Sequence, residues 1–239
     1  MQWVAHRGYP QRYPENSLIG FEVALGSGAQ FLEFDIQLSQ DGVPMVFHDE
    51  DLERLTGHPL RVFDLPAAKL QTLPLLWQDR PAQQAAEPCI PTLSDLFTLL
   101  QAYPQTRVFI ELKTASIEHF GINRYLDYLL PVLMDCPTPL VLISFSTPVL
   151  SAIVARSSHR IGWIIPEWNK HHQTIAHNLQ PDWLFCNLKR YPAGATPWPG
   201  PWHWCFYVIN DGATARQLRD KGIGYFETDC IAEMLHGQD

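Results

Sequence analysis

Positive charge is scarce in this chain of 239 residues. It has 17 lysine and arginine residues against 25 aspartate and glutamate residues, which gives a formal net charge of −8 at pH 7. Because neutralising a phosphate backbone requires a basic surface, this composition argues against a nucleic-acid partner. An acidic protein that handles a small anion needs local positive charge, which a metal ion and a few arginine or lysine side chains supply.

Paired cysteines are also lacking. The five cysteines are scattered and include no Cys-x-x-Cys pair: Cys89, Cys136, Cys186, Cys205 and Cys230. This arrangement is typical neither of a structural zinc site nor of a disulfide framework, and it favours a reducing compartment.

Long apolar runs are absent from the sequence. No stretch approaches the roughly 20 apolar residues that span a bilayer, and the opening MQWVAHRG lacks the charged and apolar regions of a signal peptide. We therefore expect a cytoplasmic protein without stable membrane insertion. The sequence shows neither a tandem repeat nor a low-complexity linker, and it carries no indication of the oligomeric state.

Short β-branched and aromatic runs alternate with longer helical segments. Eight such strands predict a (β/α)8 barrel, with an open doubly wound sheet as the alternative. Because such barrels use roughly 250 residues, a single barrel domain over residues 1–239 accounts for the whole chain. The predicted strands are 3–5, 31–36, 107–112, 140–143, 161–164, 183–186, 203–208 and 225–227. The predicted helices include 17–25, 92–102, 122–134, 148–156 and 211–220.

Two stretches break this alternation. Residues 43–90, approximately, follow the second strand, are too long for one loop and open with a predicted added strand at 44–48. We interpret them as a small cap or insertion. Residues 188–202 contain four prolines, and because proline does not fit a helix interior they predict a reduced or missing sixth helix.

Carboxylates end two of the predicted strands. Side chains two positions apart face the same side of a strand, so Glu33 and Asp35 project together. Buried carboxylates are costly unless a cation binds them, and oxygen ligands favour Mg²⁺ or Ca²⁺ over zinc. The alternative is an exposed strand end with solvated acids. The same spacing groups Glu111 with Lys113, as a further metal ligand beside a substrate contact or as a surface ion pair.

Two histidines lie beside these strand ends. His6 and Arg7 follow the first strand, and His48 ends the added strand, where Asp49 either orients it or is a loop acid. A histidine pair supplies the acid and the base that ester hydrolysis needs, and arginine binds phosphate bidentately; a structural role is the alternative for each histidine alone. Since catalytic residues of (β/α)8 barrels lie at the C-terminal strand ends, the set predicts a metal-dependent hydrolytic site for a phosphoester.

Taken together, these motifs resemble the glycerophosphodiester phosphodiesterase family. The chain carries His-Arg-Gly at 6–8, Pro-Glu-Asn-Ser at 14–17, Glu-x-Asp at 33–35, Asp-Gly at 41–42 and His-Asp at 48–49, in the family's order. Glu-Leu-Lys at 111–113 and Ser-Phe at 144–145 match further motifs. The resemblance covers the whole chain and is densest over about the first 57 residues.

The resemblance implies hydrolysis of glycerophosphodiesters, such as glycerophosphocholine or glycerophosphoethanolamine, to glycerol 3-phosphate and an alcohol. It implies one divalent metal ion, Mg²⁺ or Ca²⁺, and leaves open whether a substrate hydroxyl attacks first through a cyclic phosphate. It assigns His6 and His48 as general base and general acid, Glu33, Asp35 and Glu111 as metal ligands, and Arg7, Glu15, Asn16, Lys113 and Tyr207 as substrate-binding residues.

The C-terminal half departs from the family pattern. Tyr207-Val-Ile-Asn210 stands where the family often has Trp-Thr-Val-Asn, so Tyr207 replaces the aromatic residue near the glycerol. The closing Thr228-Asp229 lacks the proline that the family has two positions later. These changes bear on substrate preference. The alternative functions are a lysophospholipase D-type enzyme acting on lysophospholipids and a non-catalytic phosphoester-binding barrel.

Overall fold

A computed structural model describes residues 1–77 and 88–237. Eight parallel strands close a barrel, and a short additional strand, third in chain order, pairs antiparallel with the C-terminal end of the second. The strands are β1 (Gln2–His6), β2 (Phe31–Leu38), β3 (Pro44–Val46), β4 (Arg107–Leu112), β5 (Leu140–Ser144), β6 (Arg160–Ile164), β7 (Trp183–Asn187), β8 (His203–Tyr207) and β9 (Tyr225–Thr228). The barrel closes because β1 pairs with both β2 and β9. The predicted (β/α)8 barrel is confirmed.

Helices pack around the barrel, except that the second and third belong to a small cap. They are α1 (Leu18–Gly26), α2 (Glu53–Thr56), α3 (Ala67–Leu70), α4 (Leu93–Leu100), α5 (Thr114–Phe120), α6 (Ile122–Leu133), α7 (Thr147–Arg156), α8 (Lys170–Leu179), α9 (Gly212–Arg219) and α10 (Ile231–His236). Ser17 caps α1, and Thr92 forms a capping box with Asp95 on α4, so the first N–H groups of both helices have partners. Within the two described ranges, no helix is long and apolar enough to cross a membrane.

Strand alternation divides the side chains between two apolar layers. Residues such as Leu32 and Phe34 face outward and pack under the helices. The intervening positions fill the barrel interior with an apolar plug: Val4, Phe109, Val141, Ile143, Ile164, Trp183, Phe185 and Cys205. Because the plug closes the barrel below, polar side chains at the next inward positions lie on the floor of a bowl at the C-terminal strand ends.

A cap lies between β2 and α4. It contains β3, α2, a 3₁₀ turn at Val62–Asp64 and α3. It has a small apolar cluster of its own: Met45, Phe47, Leu52, Leu55, Val62, Ala67, Leu70, Leu73, Leu75 and Ile90. The added strand predicted at 44–48 is present as the shorter β3, and residues 78–87 of the predicted cap lie outside the described residues.

The segment between β7 and β8 contains a 3₁₀ turn, Leu188–Arg190, where a barrel helix would stand. Three buried indoles occupy the space instead. The carbonyl oxygen of Trp198 accepts hydrogen bonds from Nε1 of Trp202 at 3.3 Å and of Trp204 at 3.2 Å. The predicted reduction of the sixth helix is confirmed, because a 3₁₀ turn and a proline-rich segment packed through its indoles take its place.

Candidate active site at the barrel mouth

Three buried carboxylates meet on the floor of the bowl. Glu33 and Asp35 come from β2 and Glu111 from β4, and the parallel pairing sets Asp35 beside Glu111. Each offers an oxygen atom within 4.8 Å of those of the other two. The grouping predicted from period-2 spacing is therefore present.

Asp35 lies between two cations. Arg7 Nε is 3.1 Å from Asp35 Oδ2, and Lys113 Nζ is 3.2 Å from Oδ1. Lys113 also donates to Glu111 Oε1 at 2.7 Å, and Asn16 Nδ2 donates to Asp35 Oδ2 at 2.9 Å. Burial alone would raise the pKa of Asp35, but Lys113 and Arg7 outweigh it and hold that pKa well below its usual range. Asp35 is thus charged and held in place.

The remaining carboxylates are not compensated in this way. Burial, then the charge of Asp35, raises the pKa of Glu33 well above its usual value. Burial likewise raises the pKa of Glu111 to about 7 against the opposing effect of Lys113. Ionisation of both glutamates therefore requires additional positive charge. Their closely spaced oxygen atoms fit a bound divalent cation, and all-oxygen ligands suit Mg²⁺ or Ca²⁺.

Each histidine of the cavity is oriented by an aspartate. His6 Nδ1 lies 2.8 Å from Asp229 Oδ1, and His48 Nδ1 lies 2.6 Å from Asp49 Oδ1. With Nδ1 engaged, Nε2 is the nitrogen available to a ligand; His6 Nε2 is 3.9 Å from Glu33 Oε2. Burial lowers the pKa of His48 despite the opposing charge of Asp35. Both rings therefore have Nδ1 engaged and Nε2 free of contact with any described aspartate.

An outer ring of ion pairs connects the cap to the barrel. Glu15 Oε1 accepts from Arg7 Nη1 at 3.0 Å and from Arg54 Nη2 at 2.7 Å. Arg54 Nε also donates to Asp49 Oδ2 at 2.6 Å, so the cap residue Arg54 supports the partner of His48. Glu15 and Asn16 thus lie behind Arg7 and Asp35, and their contact with substrate stays a prediction.

A cavity of about 270 Å³ opens at this end of the barrel. The predicted residues that line it are His6, Arg7, Glu33, His48, Glu111, Lys113 and Tyr207. The rest of its lining is partly apolar, with Phe145 and Phe185, and partly polar, with Asn187, Arg190 and Glu227. One cavity therefore joins Glu33, Glu111, both histidines and the cations, whereas Asp35 is not among its lining residues.

Sequence reasoning missed four residues of this region. Asp229 and Arg54 act through contacts across 223 and 39 residues of chain, which no local pattern shows. Strand alternation could have identified Glu227. It lies on a predicted strand two positions after Tyr225, so the two side chains share a face, as those of Glu33 and Asp35 do. Arg190 lies in an irregular segment, where no periodicity places a side chain.

Comparisons with known proteins identify the family. The model of the glycerophosphoryl diester phosphodiesterase family matches residues 6–159. A glycerophosphodiester phosphodiesterase of Bacillus altitudinis is 36% identical over 119 residues, 50% of this chain and 48% of that protein. One from Caldanaerobacter subterraneus subsp. tengcongensis is 32% identical over 123 residues, 52% of this chain and 49% of that protein. The matched part spans about half the length of these curated relatives.

Solved structures show the same fold. A phosphodiesterase of Oleispira antarctica in complex with the product sn-glycerol-3-phosphate has a TM-score of 0.82 at 24% identity, covering 98% of this chain and 95% of that one. A glycerophosphodiester phosphodiesterase of Thermotoga maritima has a TM-score of 0.76 at 23% identity, covering 99% and 97%. Since the family model matches more than half of its 239 residues, the chain belongs to the glycerophosphoryl diester phosphodiesterase family.

Proposed function

We propose that this protein is a metal-dependent enzyme that hydrolyses glycerophosphodiesters, such as glycerophosphocholine or glycerophosphoethanolamine, to glycerol 3-phosphate and an alcohol. The observation that carries the proposal is the common cavity. Two aspartate-bound histidines line it together with two of the three clustered carboxylates and both inner cations. The names of the curated relatives and the product bound to the Oleispira protein support the same activity.

Glu33, Asp35 and Glu111 would hold the divalent ion, Mg²⁺ or Ca²⁺. Support comes from the closeness of their oxygen atoms and from the raised pKa values of Glu33 and Glu111, which reflect burial without enough positive charge. When bound, the ion supplies a Lewis acid that polarises phosphoryl oxygens.

Arg7 and Lys113 would bind the phosphate. Both are charged, both line the cavity, and their contacts with Asp35 hold them in place before substrate arrives. An oriented cation stabilises a developing phosphoryl charge without reorganising first. The predicted packing of Tyr207 near the glycerol is consistent with its place on the cavity wall.

The histidine pair would move the protons. One Nε2 removes a proton from the attacking hydroxyl, whether water or a substrate hydroxyl, and the other donates a proton to the leaving alcohol oxygen. In our proposal His6 is the general base and His48 the general acid. Asp229 and Asp49 keep Nδ1 protonated, so that each ring presents Nε2.

A substrate panel tests the activity. Purified protein is incubated with glycerophosphocholine or glycerophosphoethanolamine and Mg²⁺ or Ca²⁺, and released glycerol 3-phosphate is measured enzymatically. We expect turnover that EDTA abolishes and that added metal restores. Lysophosphatidylcholine in the same panel tests the alternative substrate class. Absence of turnover on every glycerophosphodiester with every divalent metal tried would contradict the proposal.

We also propose that the chain is one domain with residues 43–90 as its cap. Two observations support this organisation. The barrel closes through pairing of β1 with β9, so both ends of the chain belong to one sheet. The cap has its own apolar cluster and contributes His48 to the barrel cavity.

A further inference from the structure

Glu227 is a buried carboxylate that the proposed chemistry does not use. It is 3% exposed, lies on β9 with Val4 of β1 as its register partner, and lines the cavity. No described residue forms a hydrogen bond with its Oε1 atom. A buried polar atom without a partner costs free energy, and most such atoms in folded proteins have one. The open position therefore indicates a ligand group that enters the cavity.

Glu227 lies near the carboxylate cluster without belonging to it, since after burial the charge of Glu111 is the largest cause that raises its pKa. The three carboxylates within 4.8 Å of one another do not include Glu227. Its wall of the cavity also contains Tyr207 and Asn187, and below it lies the apolar plug with Cys205 and Phe185. Burial, followed by the charge of Glu227, raises the pKa of Tyr207, which agrees with their closeness. This end of the cavity suits an uncharged polar group such as a hydroxyl.

Different groups of the cavity contact different parts of a substrate. The phosphate binds Arg7 and Lys113, because these are the buried cations of the cavity. The group that reaches Glu227 must then extend inward from the phosphate. Under the proposed function glycerol is the half common to every substrate, whereas the alcohol varies in size and needs the open mouth. The enclosed end therefore receives glycerol.

We propose that Glu227 is a specificity-determining residue that hydrogen-bonds the terminal hydroxyl of the glycerol half, the one farthest from the phosphate. This inference rests on the proposed function. The unpartnered oxygen of Glu227 would make the enzyme prefer substrates with glycerol over substrates with a shorter or less hydroxylated group. A hydrogen bond that involves a buried carboxyl is worth enough to change kcat/KM by about tenfold or more when it is removed.

The test compares two substrates that differ in that one hydroxyl. Glycerophosphocholine carries it, and 2-hydroxypropyl phosphocholine lacks it but keeps the hydroxyl next to the phosphate-bearing carbon. For Glu227→Met we expect kcat/KM on glycerophosphocholine to fall by about tenfold or more. The same variant is expected to change kcat/KM on the analogue by less than about threefold, because the lost bond has no partner there. Glu227→Gln retains an acceptor and a donor and is expected to restore part of the preference.

Tyr225→Phe is the matched control, since Tyr225 lies two positions earlier on β9 and outside the cavity. It should leave the ratio of the two kcat/KM values unchanged. Circular dichroism and thermal melting of Glu227→Gln, which differs from the wild type by one group, show that the fold is kept. Equal losses on both substrates, or no loss on either, would overturn the assignment of Glu227 alone. A wild-type protein that hydrolyses neither diester would overturn the proposed function, and this inference with it.

Discussion

The two halves of the barrel mouth hold their charges differently. In the paired half, at the ends of β1, β2 and β4, Asp35 contacts Arg7, Lys113 and Asn16 before any ligand binds. Neither Arg7 Nε in this half nor Glu227 Oε1 in the open half, at the ends of β7, β8 and β9, has a hydrogen bond with the described residues. Arg7 Nε has its ion pair with Asp35, whereas Glu227 has none with those residues. Arg190 there donates to the carbonyl of Pro166 and forms no ion pair with the described acidic residues.

This difference separates two tasks. Chemistry on a phosphodiester is the same for every substrate, so the groups that perform it gain from being fixed in advance. Recognition of the rest of the substrate requires polar groups whose hydrogen bonds are made only by the ligand. A ligand without the matching group leaves them unpaired. The paired half is therefore assigned to catalysis and the open half to selection.

The histidines give the largest expected effect. His48→Ala removes a proton donor and His6→Ala a proton acceptor, so each should lower kcat on glycerophosphocholine by about 10²–10⁴-fold. The fold should be kept, because both side chains line the cavity rather than the core. His171→Ala, at an exposed position of α8, is the control. A loss below tenfold for either cavity histidine would remove it from the proton-transfer step.

Substitution of Asp35 in the paired half should destabilise the protein more than substitution of Glu227 in the open half. Asp35→Asn leaves two buried cations without a shared carboxylate, which should lower the free energy of unfolding by about 3 kcal/mol. This loss is at the lower end of the usual range for breaking a buried ion pair, because Lys113 retains its contact with Glu111 and Arg7 retains its contact with Glu15. Urea unfolding of metal-free protein at pH 7 measures the loss. If Glu227→Gln cost as much under the same conditions, the contrast between the halves would be wrong.

The paired half was also the more predictable from sequence. Strand alternation puts Glu33 and Asp35 on one face and allows Glu111 to join them at the shared edge of parallel strands, and the family resemblance selects this interpretation over surface ion pairs. The contact of His6 with Asp229 depends on closure of the barrel, which brings β1 beside β9. A period-2 pattern predicts which face a side chain occupies, but it does not predict which distant strand stands opposite.

The cap and the open half show the same limit. The approximate position of the cap follows from its length and its added strand, whereas the contact of Arg54 with Glu15 depends on how the cap packs on the barrel. The proline-rich segment predicts the loss of a helix, but nothing in it predicts that Arg190 reaches the cavity. Glu227 is the exception, since strand alternation was sufficient to place it inside the barrel.

Metal dependence tests the carboxylate cluster. Glu33→Gln removes one negative oxygen ligand, so the Mg²⁺ or Ca²⁺ concentration for half-maximal activity should rise by at least about tenfold. The measurement is a metal titration of activity after EDTA treatment and dialysis. Glu22→Gln, the same substitution at an exposed position of α1, is the control. An unchanged metal requirement would count against Glu33 as a ligand.

The smallest effect concerns the pH dependence of stability, and it has opposite signs in the two halves. The pKa of Asp35 is lowered, so the charged form stabilises the fold above its ordinary value of 3.8 and this contribution is lost on acidification. Burial, then the charge of Glu111, raises the pKa of Glu227 above its ordinary value of 4.5. Its contribution is complete below pH 4.5 and is lost as the pH rises, because the folded state then holds a proton that the unfolded state has released.

Glu227→Gln removes this penalty. The melting temperature of the variant minus that of the wild type should therefore increase between pH 4.5 and pH 8 in metal-free buffer, by roughly 2–4 °C for each kcal/mol of penalty in a chain of this size. Thermal melting at intervals across that range measures it. A difference that stays constant with pH would mean that Glu227 ionises as easily as in the unfolded chain. In that case the open half would already contain the compensation that we assign only to the paired half.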